Sequence, residues 1–292
     1  MVHDLKCDPI PYLFASRRPA WVKYQTLVKI IGKSEDDPEV IHWQEKRDTS
    51  AAVARLRAKQ APDGSFPCFP WMHIHKYHFH QMLEMGFGLE DATVRLSAEN
   101  LLNYQLPDGG YMHPVGRRVN VPNPEVGWAA CVTGYVTYAL MQLGFKDDHR
   151  VAAALNVMMR KQRDTGGWSC NTYVENAPYC ILSGTPWVFR CLAEAGMIGK
   201  RSRITERALE VFNRHKQKII RHGYQDDHYY RCDETLLLPS LYAIGFTKRH
   251  HLIRDFRRSL IEKQQPDGSW LFCRKPSPWY TIEVIQSLRD MG

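Results

Sequence analysis

A short turn motif recurs about every fifty residues along this chain, and it limits the folds that the sequence can adopt. Four copies begin with Gln and end with an aromatic residue, at positions 60–66, 105–111, 162–168 and 264–270. A weaker fifth copy covers positions 217–224. A repeat of this length is typical of an architecture that multiplies one supersecondary unit.

A second signal runs in phase with the turn. Apolar segments end in glycine at Gly86, Gly144, Gly196, Gly245 and Gly292. Glycine just beyond an apolar segment is a helix C-cap signal, because glycine enters the left-handed region at little cost. Three of the turns contain Pro-Asp-Gly, in which proline restricts φ and glycine supplies a positive φ. Each repeat is therefore predicted to hold two helices.

The two helices of a repeat differ in their apolar pattern. The helix after the turn is apolar on nearly every side, as in residues 130–144, and such a helix is buried all round. The other is amphipathic, as in residues 248–264, whose apolar positions fall on one stripe. Inner helices are expected near residues 20–32, 75–86, 129–144, 183–196, 233–245 and 279–291, with five outer helices between them, the first over residues 38–60.

This alternation predicts an all-α protein with an inner and an outer helix layer. An open solenoid of helix pairs would expose its inner helices on a concave surface. The inner helices here are too apolar for that exposure. The sequence therefore favours a closed barrel with a lined central cavity.

Composition and charge exclude several classes of protein. Hydrophobic residues make up 44% of the chain, which excludes general disorder. No apolar run approaches the roughly 20 residues of a membrane span, and no secretory signal is visible. None of the eight cysteines forms a Cys-x-x-Cys pair, so reduced thiols and a cytoplasmic location are expected.

The formal charge of +8 is spread along the chain. Its densest group lies in residues 248–258 and is interpreted as a solvated helix face. No nucleic-acid partner is expected. The sequence leaves open a peripheral membrane contact and the oligomeric state.

The turns and the paired helices carry a family resemblance. The Gln-to-aromatic turn resembles the QW repeat of triterpene cyclases, and the helix pair resembles the α/α toroid of squalene–hopene cyclases and protein prenyltransferase β subunits. The resemblance extends from about residue 20 to residue 292. It implies an (α/α)6 toroid of five to six helix hairpins in one domain, 1–292, with residues 1–19 as an N-terminal extension. The chain is too short for the second helical domain of triterpene cyclases, so a substrate smaller than a triterpene is expected from this divergent single-domain member.

The resemblance also implies a catalytic acid. Class II terpene cyclases protonate an alkene with the middle Asp of an Asp-x-Asp-Asp motif, and residues 231–235 match its last two acids and the following Thr. Asp233 would be the proton donor and Glu234 its acidic neighbour. Arg231 stands where the first Asp belongs and would favour the ionised form of Asp233, whereas Asp227 could supply the missing carboxylate. The alternative is that Asp233 and Glu234 only cap a helix.

A metal site is less well supported by the sequence. Protein prenyltransferases hold zinc with an Asp-x-Cys pair, which residues 174–180 lack. Neither zinc nor magnesium is supported by a clear ligand spacing, so no cofactor is expected, although Cys180, Asp227, His228 and Cys232 include the residue types that bind zinc. In the stretch from His73 to His80, His75 and His78 are predicted to share a helix face, which suits a metal, a proton relay or, with nearby basic residues, a diphosphate.

Aromatic and polar residues are concentrated near the starts of the predicted inner helices. Aromatic faces bind isoprenoid chains and stabilise cations by about 0.5–2 kcal/mol per contact. For many of these residues, ordinary core packing is the alternative. The predicted substrate-binding residues are Trp71, His75, Tyr77, His78, Trp128, Tyr135, Tyr173, Trp187, His228, Tyr230, Arg231, Trp279 and Tyr280.

These patterns and the resemblance predict an isoprenoid or terpenoid cyclase-like enzyme. Its substrate would be a small hydrophobic molecule or prenyl diphosphate in the central cavity, with acid initiation by Asp233. One alternative is a non-catalytic or metal-dependent toroid protein that binds a prenyl group or lipid. Another is a carbohydrate-active six-hairpin enzyme, which requires paired carboxylates such as Asp226, Asp227 and Glu234. Burial of Asp233 beneath an aromatic-lined cavity, with a raised pKa, would favour the cyclase hypothesis, whereas exposure of Asp233 or an ion pair with Arg231 would contradict it.

Overall fold

The computed structural model describes residues 4–66, 74–111, 128–169, 178–222 and 233–289, and these are mostly helical. The α-helices are α1 Ile10–Phe14, α2 Ala20–Gln25, α3 Pro38–Asp48, α4 Ala51–Arg57, α5 Ile74–Glu84, α6 Ala92–Asn103, α7 Ala130–Gln142, α8 His149–Arg160, α9 Pro178–Glu194, α10 Arg203–His222, α11 Glu234–Ala243, α12 His251–Glu262 and α13 Pro278–Arg289. A π-helix, Thr26–Ile31, follows α2, and a 3₁₀ turn, Phe145–Asp147, precedes α8. Strands β1 Leu271–Phe272 and β2 Lys275–Pro276 form an antiparallel hairpin. The prediction of a mainly α-helical chain is confirmed.

The contacts divide the chain into two compact units. The first unit comprises Met1–Pro67, His75–Ser97 and Arg257–Gly292, and in it α2 packs on α3 and α13 packs on the π-helix. The second comprises Cys68–Ile74 and Ala98–Phe256, and in it α9 packs between α7 and α11. None of the helices in the described ranges is long and apolar enough to cross a membrane.

The apolar helices pack closely because small residues lie at their contacts. A Cβ atom added to Gly134 of α7 would lie 2.7 Å from the backbone nitrogen of Val188 in α9. One added to Gly184 of α9 would lie 2.8 Å from Cβ of Ala130. Larger side chains at either glycine would force the two helices apart.

The four turns share one hydrogen bond made by their glutamine. Each turn glutamine donates from Nε2 to the turn-glycine carbonyl four residues later, at Gly64, Gly109, Gly166 and Gly268, over 3.3, 2.9, 2.8 and 3.2 Å. In the first three turns it also donates to a backbone carbonyl near the start of the next amphipathic helix, at Thr93, Arg150 and Ile204, over 2.8, 2.6 and 2.9 Å. One side chain thus joins two successive amphipathic helices.

In the second, third and fourth turns, the aromatic residue that ends the turn anchors it to the next apolar helix. Its backbone N–H donates to a threonine hydroxyl in the pairs Tyr111–Thr133, Trp168–Thr185 and Trp270–Thr281, over 2.9, 3.0 and 3.0 Å. The aromatic side chains themselves are buried, which explains why aromatic residues recur there. The turn glycines adopt φ of +83° to +96°, so a side chain at any of them would be strained.

The fourth turn makes these contacts with the N-terminal segment. Gln264 donates to the carbonyl of Cys7 over 2.8 Å, and its Oε1 accepts from the N–H groups of Lys6 and Cys7 over 2.8 and 3.2 Å. A Cβ atom on Gly268 would lie 2.6 Å from the carbonyl oxygen of Asp8. At the fourth turn, the segment before α1 therefore accepts the glutamine hydrogen bond that the next amphipathic helix accepts at the other three turns.

We expect Gln264→Ala to lower the free energy of unfolding by about 2–3 kcal/mol, because it removes several buried hydrogen bonds at once. Urea denaturation followed by circular dichroism measures this change. Gln265→Ala is the matched control, since among the described residues the Gln265 side chain donates only to the carbonyl of Lys263, over 2.8 Å. Equal losses in the two variants would contradict the anchoring role of Gln264.

Helix boundaries differ from the prediction in several places. Residues 38–60 do not form one helix, because Ser50 accepts from the N–H of Val53 and starts α4 separately. The first apolar helix was predicted near residues 20–32, and the structure shows that its second half, Thr26–Ile31, is a π-helix followed by Gly32. Pro186 and Pro239 lie inside α9 and α11, which continue past them.

An ion pair at the start of α8 makes stability depend on acid pH. Asp148 caps α8 by accepting from the N–H of Arg150 over 2.7 Å, and the Arg150 guanidinium donates to both carboxylate oxygens over 3.0 and 2.8 Å. The side-chain hydrogen bonds from Arg150 are the main cause that lowers the pKa of Asp148 to about 2. Folding thus favours the ionised carboxylate.

We expect Asp148→Asn to cost about 1–2 kcal/mol at pH 7, because the neutral amide keeps the cap but loses the ion pair. A lowered pKa in the folded state stabilises the protein above about pH 4, and this contribution disappears as the pH falls towards 2. The difference in unfolding free energy between wild type and variant should therefore shrink between these two pH values. Denaturation curves measured across that range test this, and a constant difference would contradict it.

Candidate active site

Asp233 lies immediately before α11 and is fully buried. Its Oδ1 accepts from the N–H groups of Thr235 and Leu236 over 3.0 and 3.3 Å and from the hydroxyl of Thr235 over 2.7 Å. Asp233 thus caps α11, which is the alternative role predicted for it. All three contacts use the same carboxyl oxygen.

Two opposing effects act on a carboxyl group in this position. Burial disfavours the charged form, whereas backbone N–H donors at a helix N-terminus favour it. Glu234, the first residue of α11, is also fully buried. The two carboxyl groups are thus adjacent in the chain at the start of an apolar helix.

An aromatic cluster lies between α7 and α9 in the same unit. The rings of Tyr135 and Trp187 meet edge to face with centroids 5.0 Å apart, and Tyr138 lies 5.9 Å from Trp187. Trp187 is buried, and in the described part of the chain its Nε1 has no hydrogen-bond acceptor. Trp128 is buried as well, and its Nε1 donates to the carbonyl of Ser169 over 3.2 Å.

A second aromatic cluster lies in the first unit, around the start of α13. Trp279 is half-buried, with its centroid 5.9 Å from the ring of His80 and 5.4 Å from that of Phe272. Tyr280 is buried beside Phe272 at 5.5 Å. His78 is buried in another contact, stacked on Phe66 at 5.0 Å with its Nε2 3.5 Å from Nζ of Lys59.

The structure therefore brings some of the predicted residues together within each unit. Tyr135 contacts Trp187 in one unit, and Trp279 contacts Tyr280 in the other at 6.1 Å. Other predicted residues lie outside the described ranges: Trp71, Tyr173, Asp227, His228, Tyr230 and Arg231. His75 and Tyr77 belong to α5, but their side chains lie outside the described part as well.

The first unit also contains a set of charged residues that was not predicted from the sequence. Lys29 of the π-helix is under the electrostatic influence of Glu84 in α5 and Glu283 in α13. His80 lies 2.6 Å from Oε1 of Glu84. One signal for this set was present in the sequence: Lys29 is an ionisable residue inside a helix that was predicted to be apolar and buried. Among the described residues, no group of three or more His, Cys, Asp or Glu side chains is arranged to hold a metal ion.

Comparison with known proteins identifies relatives in fold. No family model matches the chain, and no curated protein matches it. The chain is similar to the type II terpene cyclase MstE from Scytonema. Against a structure of an MstE variant with merosterolic acid A (product), the TM-score is 0.51 at 14% identity, over 95% of this chain and 89% of that chain. Against a structure of another MstE variant, with geranylgeranyl dihydroxybenzoate (substrate), the TM-score is also 0.51 at 14% identity, over 92% of this chain and 85% of that chain. The chain thus has a terpene cyclase-like fold.

Proposed function

We propose that this chain is a terpenoid cyclase-like enzyme of the type II class, in which Asp233 protonates an apolar substrate. The observation that carries the proposal is the complete burial of Asp233 at the start of an apolar helix, in a chain whose fold is similar to that of a type II terpene cyclase. Proton donation to an alkene requires a carboxylic acid whose surroundings keep it neutral.

The hydrogen bonds of Asp233 suggest how the acid is oriented. Because Thr235 and Leu236 donate to Oδ1, we place the acidic proton on Oδ2. Glu234 is the proposed acidic neighbour that disfavours ionisation. Once the alkene is protonated, the positive charge moves to carbon, and aromatic faces stabilise it. Tyr135 and Trp187 are the proposed aromatic residues of this unit.

We further propose that the helices form an (α/α)6 toroid around a substrate cavity. The likeness to MstE supports this arrangement, as does the repetition of the same turn contacts along the chain. The bond from Gln264 to Cys7 supports closure of the ring, because the last turn then holds the first segment of the chain. In this arrangement α1 completes the outer layer.

The proposed substrate is a linear prenyl chain with or without a polar head group. MstE structures contain geranylgeranyl dihydroxybenzoate as substrate. Acid-initiated cyclisation is an isomerisation: a proton enters at one end of the polyene and leaves at the other, so substrate and product have equal mass. Chemistry started by loss of diphosphate would change the mass.

Incubation with geranylgeranyl dihydroxybenzoate, geranylgeranyl diphosphate and squalene tests the proposal. We expect at least one of them to be converted into a cyclic isomer of unchanged mass, detected by chromatography coupled to mass spectrometry. Conversion should fail in the Asp233→Asn variant. Release of diphosphate, or binding of all three compounds without turnover, would contradict the proposal, and the latter is the behaviour expected of a prenyl-binding protein.

A further inference from the structure

Two loops that lead into amphipathic helices lie side by side in the second unit. One loop leads into α10 and the other into α12. Nζ of Lys200 in the first loop lies 5.1 Å from the ring centroid of Phe246 in the second. The two loops and the first residues of the helices that follow them therefore form one edge of the unit. We call residues 196–203 and 245–251 the basic rim.

The charged residues of the rim are all positive. The rim contains no Asp or Glu, and its Lys and Arg residues are all exposed: Lys200, Arg201, Arg203, Lys248 and Arg249. The whole chain has a formal charge of only +8, so these residues concentrate much of its surplus in one place. The N-terminal ends of α10 and α12 also lie at the rim, and the helix dipole makes such ends positive.

The backbone of the rim stands clear of the other described residues. A Cβ atom added to Gly196, Gly199 or Gly245 would have no neighbouring atom within 4 Å among them. Met197 in the first loop is 39% exposed, although it is a large apolar residue. An apolar side chain therefore reaches solvent directly beside basic side chains.

Hydrogen bonds hold the first loop in one conformation. Oγ1 of Thr205 donates to the carbonyl of Gly199 over 2.9 Å, and the N–H of Thr205 donates to Oγ of Ser202 over 3.2 Å. The hydroxyl of Ser202 donates in turn to Oγ1 of Thr205 over 2.9 Å. A loop that is already ordered loses little conformational entropy when it binds a partner.

We propose that the basic rim binds the surface of a bilayer that contains anionic phospholipids. The basic side chains contact the negatively charged head groups, which attract Lys and Arg close to the membrane surface. Met197 enters the apolar layer between them, where burial of its surface adds to the attraction. This binding goes beyond the proposed cyclisation, because the rim contains neither Asp233 nor the aromatic residues proposed to act with it.

Nucleic acid is the other polyanion that a basic edge attracts, and the rim fits it less well. Proteins that bind single strands stack the bases on accessible aromatic rings. Phe246 is the one Phe, Tyr or Trp residue of the rim, and it is only 8% exposed, with its ring centroid 4.4 Å from that of His250. An exposed methionine gains nothing from a phosphate backbone, whereas it gains from an apolar layer.

Cosedimentation of the full chain with lipid vesicles tests the proposal. The vesicles consist of phosphatidylcholine alone or of a two-to-one mixture of phosphatidylcholine and phosphatidylglycerol. We expect the mixed vesicles to bind the protein at least about a hundredfold more tightly, because each basic residue near an anionic surface contributes about fivefold in affinity. Raising the salt from about 0.1 M to about 1 M should release the protein, since the screening length falls from about 10 Å to about 3 Å.

Two sets of variants separate the rim from the net charge of the protein. The rim variant carries Arg201→Gln, Arg203→Gln and Arg249→Gln, and it should bind the mixed vesicles about a hundredfold more weakly than wild type. The control variant loses the same charge at exposed positions at or near the C-terminal ends of α8 and α10 and should bind within about threefold of wild type; it carries Arg160→Gln, Lys218→Gln and Arg221→Gln.

Met197→Gln distinguishes a bilayer from other polyanions. It leaves the charge unchanged and should weaken vesicle binding about fivefold, since the side chain no longer enters the apolar layer. Equal binding to the two kinds of vesicle, or equal losses in the rim and control variants, would overturn the proposal. Binding of a DNA duplex that the rim variant loses, without binding to the mixed vesicles, would assign the rim to nucleic acid instead.

Discussion

Asp233→Asn is expected to lower the rate of substrate cyclisation by at least about a thousandfold while leaving the protein folded. General acid catalysis contributes roughly two to four orders of magnitude, and an amide has no proton to give to an alkene. The amide oxygen of Asn can still accept the bonds from Thr235 and Leu236 that Asp233 accepts now. Asparagine is also among the preferred N-cap residues. Activity and stability should therefore separate.

The comparison variant is Asp233→Ala, which removes both the acid and the cap. We expect it to lose about 1–2 kcal/mol of stability in addition to its activity, because the N–H groups at the start of α11 lose a buried acceptor. Turnover is measured by product formation and stability by urea denaturation. Wild-type turnover in the asparagine variant would exclude Asp233 as the acid and leave it only a capping role.

Arg47→Met is expected to lower the free energy of unfolding by about 3–4 kcal/mol. Arg47 is 3% exposed, and its Nη1 donates to the carbonyls of Met85 and Gly86 over 3.2 and 2.8 Å, just beyond the end of α5. The guanidinium also stacks on Tyr24 and Phe87, at 4.3 and 4.1 Å from the ring centroids. Methionine fills part of the space but cannot donate to the two buried carbonyls.

The matched control is Arg55→Met in the neighbouring helix α4. Arg55 is exposed, and its side chain donates to the carbonyl of Ala51 over 3.1 Å. The free energy of unfolding of Arg55→Met is expected to change by no more than about 0.5 kcal/mol, as for most surface substitutions. Thermal unfolding of both variants gives the comparison. If the two melting temperatures fell equally, the stacked and hydrogen-bonded position of Arg47 would have no special role in stability.

Local chemistry explains which features of the fold were predictable. The glycines expected to end apolar helices at Gly86, Gly144, Gly196 and Gly245 all adopt positive φ in the structure. These predictions succeed because a residue in the left-handed region at a helix end is usually glycine, and this preference depends only on local steric contacts. The β1–β2 hairpin was missed because its turn places Cys273 and Arg274 at positive φ, which those residue types do not signal.

The candidate sites show the same division. The start of an apolar helix at Asp233 was predictable, because a polar segment before residue 233 is followed by an apolar run. Its complete burial was not, because burial depends on which elements cover the helix start. The set around Lys29 joins residues from positions 29, 80, 84, 279 and 283, and no local pattern links side chains so far apart in the chain.

Local sequence signals account for the helical content of the chain, its repeated turns and the residue types at those turns. These follow from φ preferences, helix capping and apolar periodicity, which act over a few neighbouring residues. Tertiary packing instead accounts for three features: Gln264 of the last turn binds the N-terminal segment, Arg47 donates to carbonyls at the end of α5, and Glu84 and Glu283 act electrostatically on Lys29. Each of these depends on contacts between distant segments, whose energy arises only when packing brings the partners together and removes water.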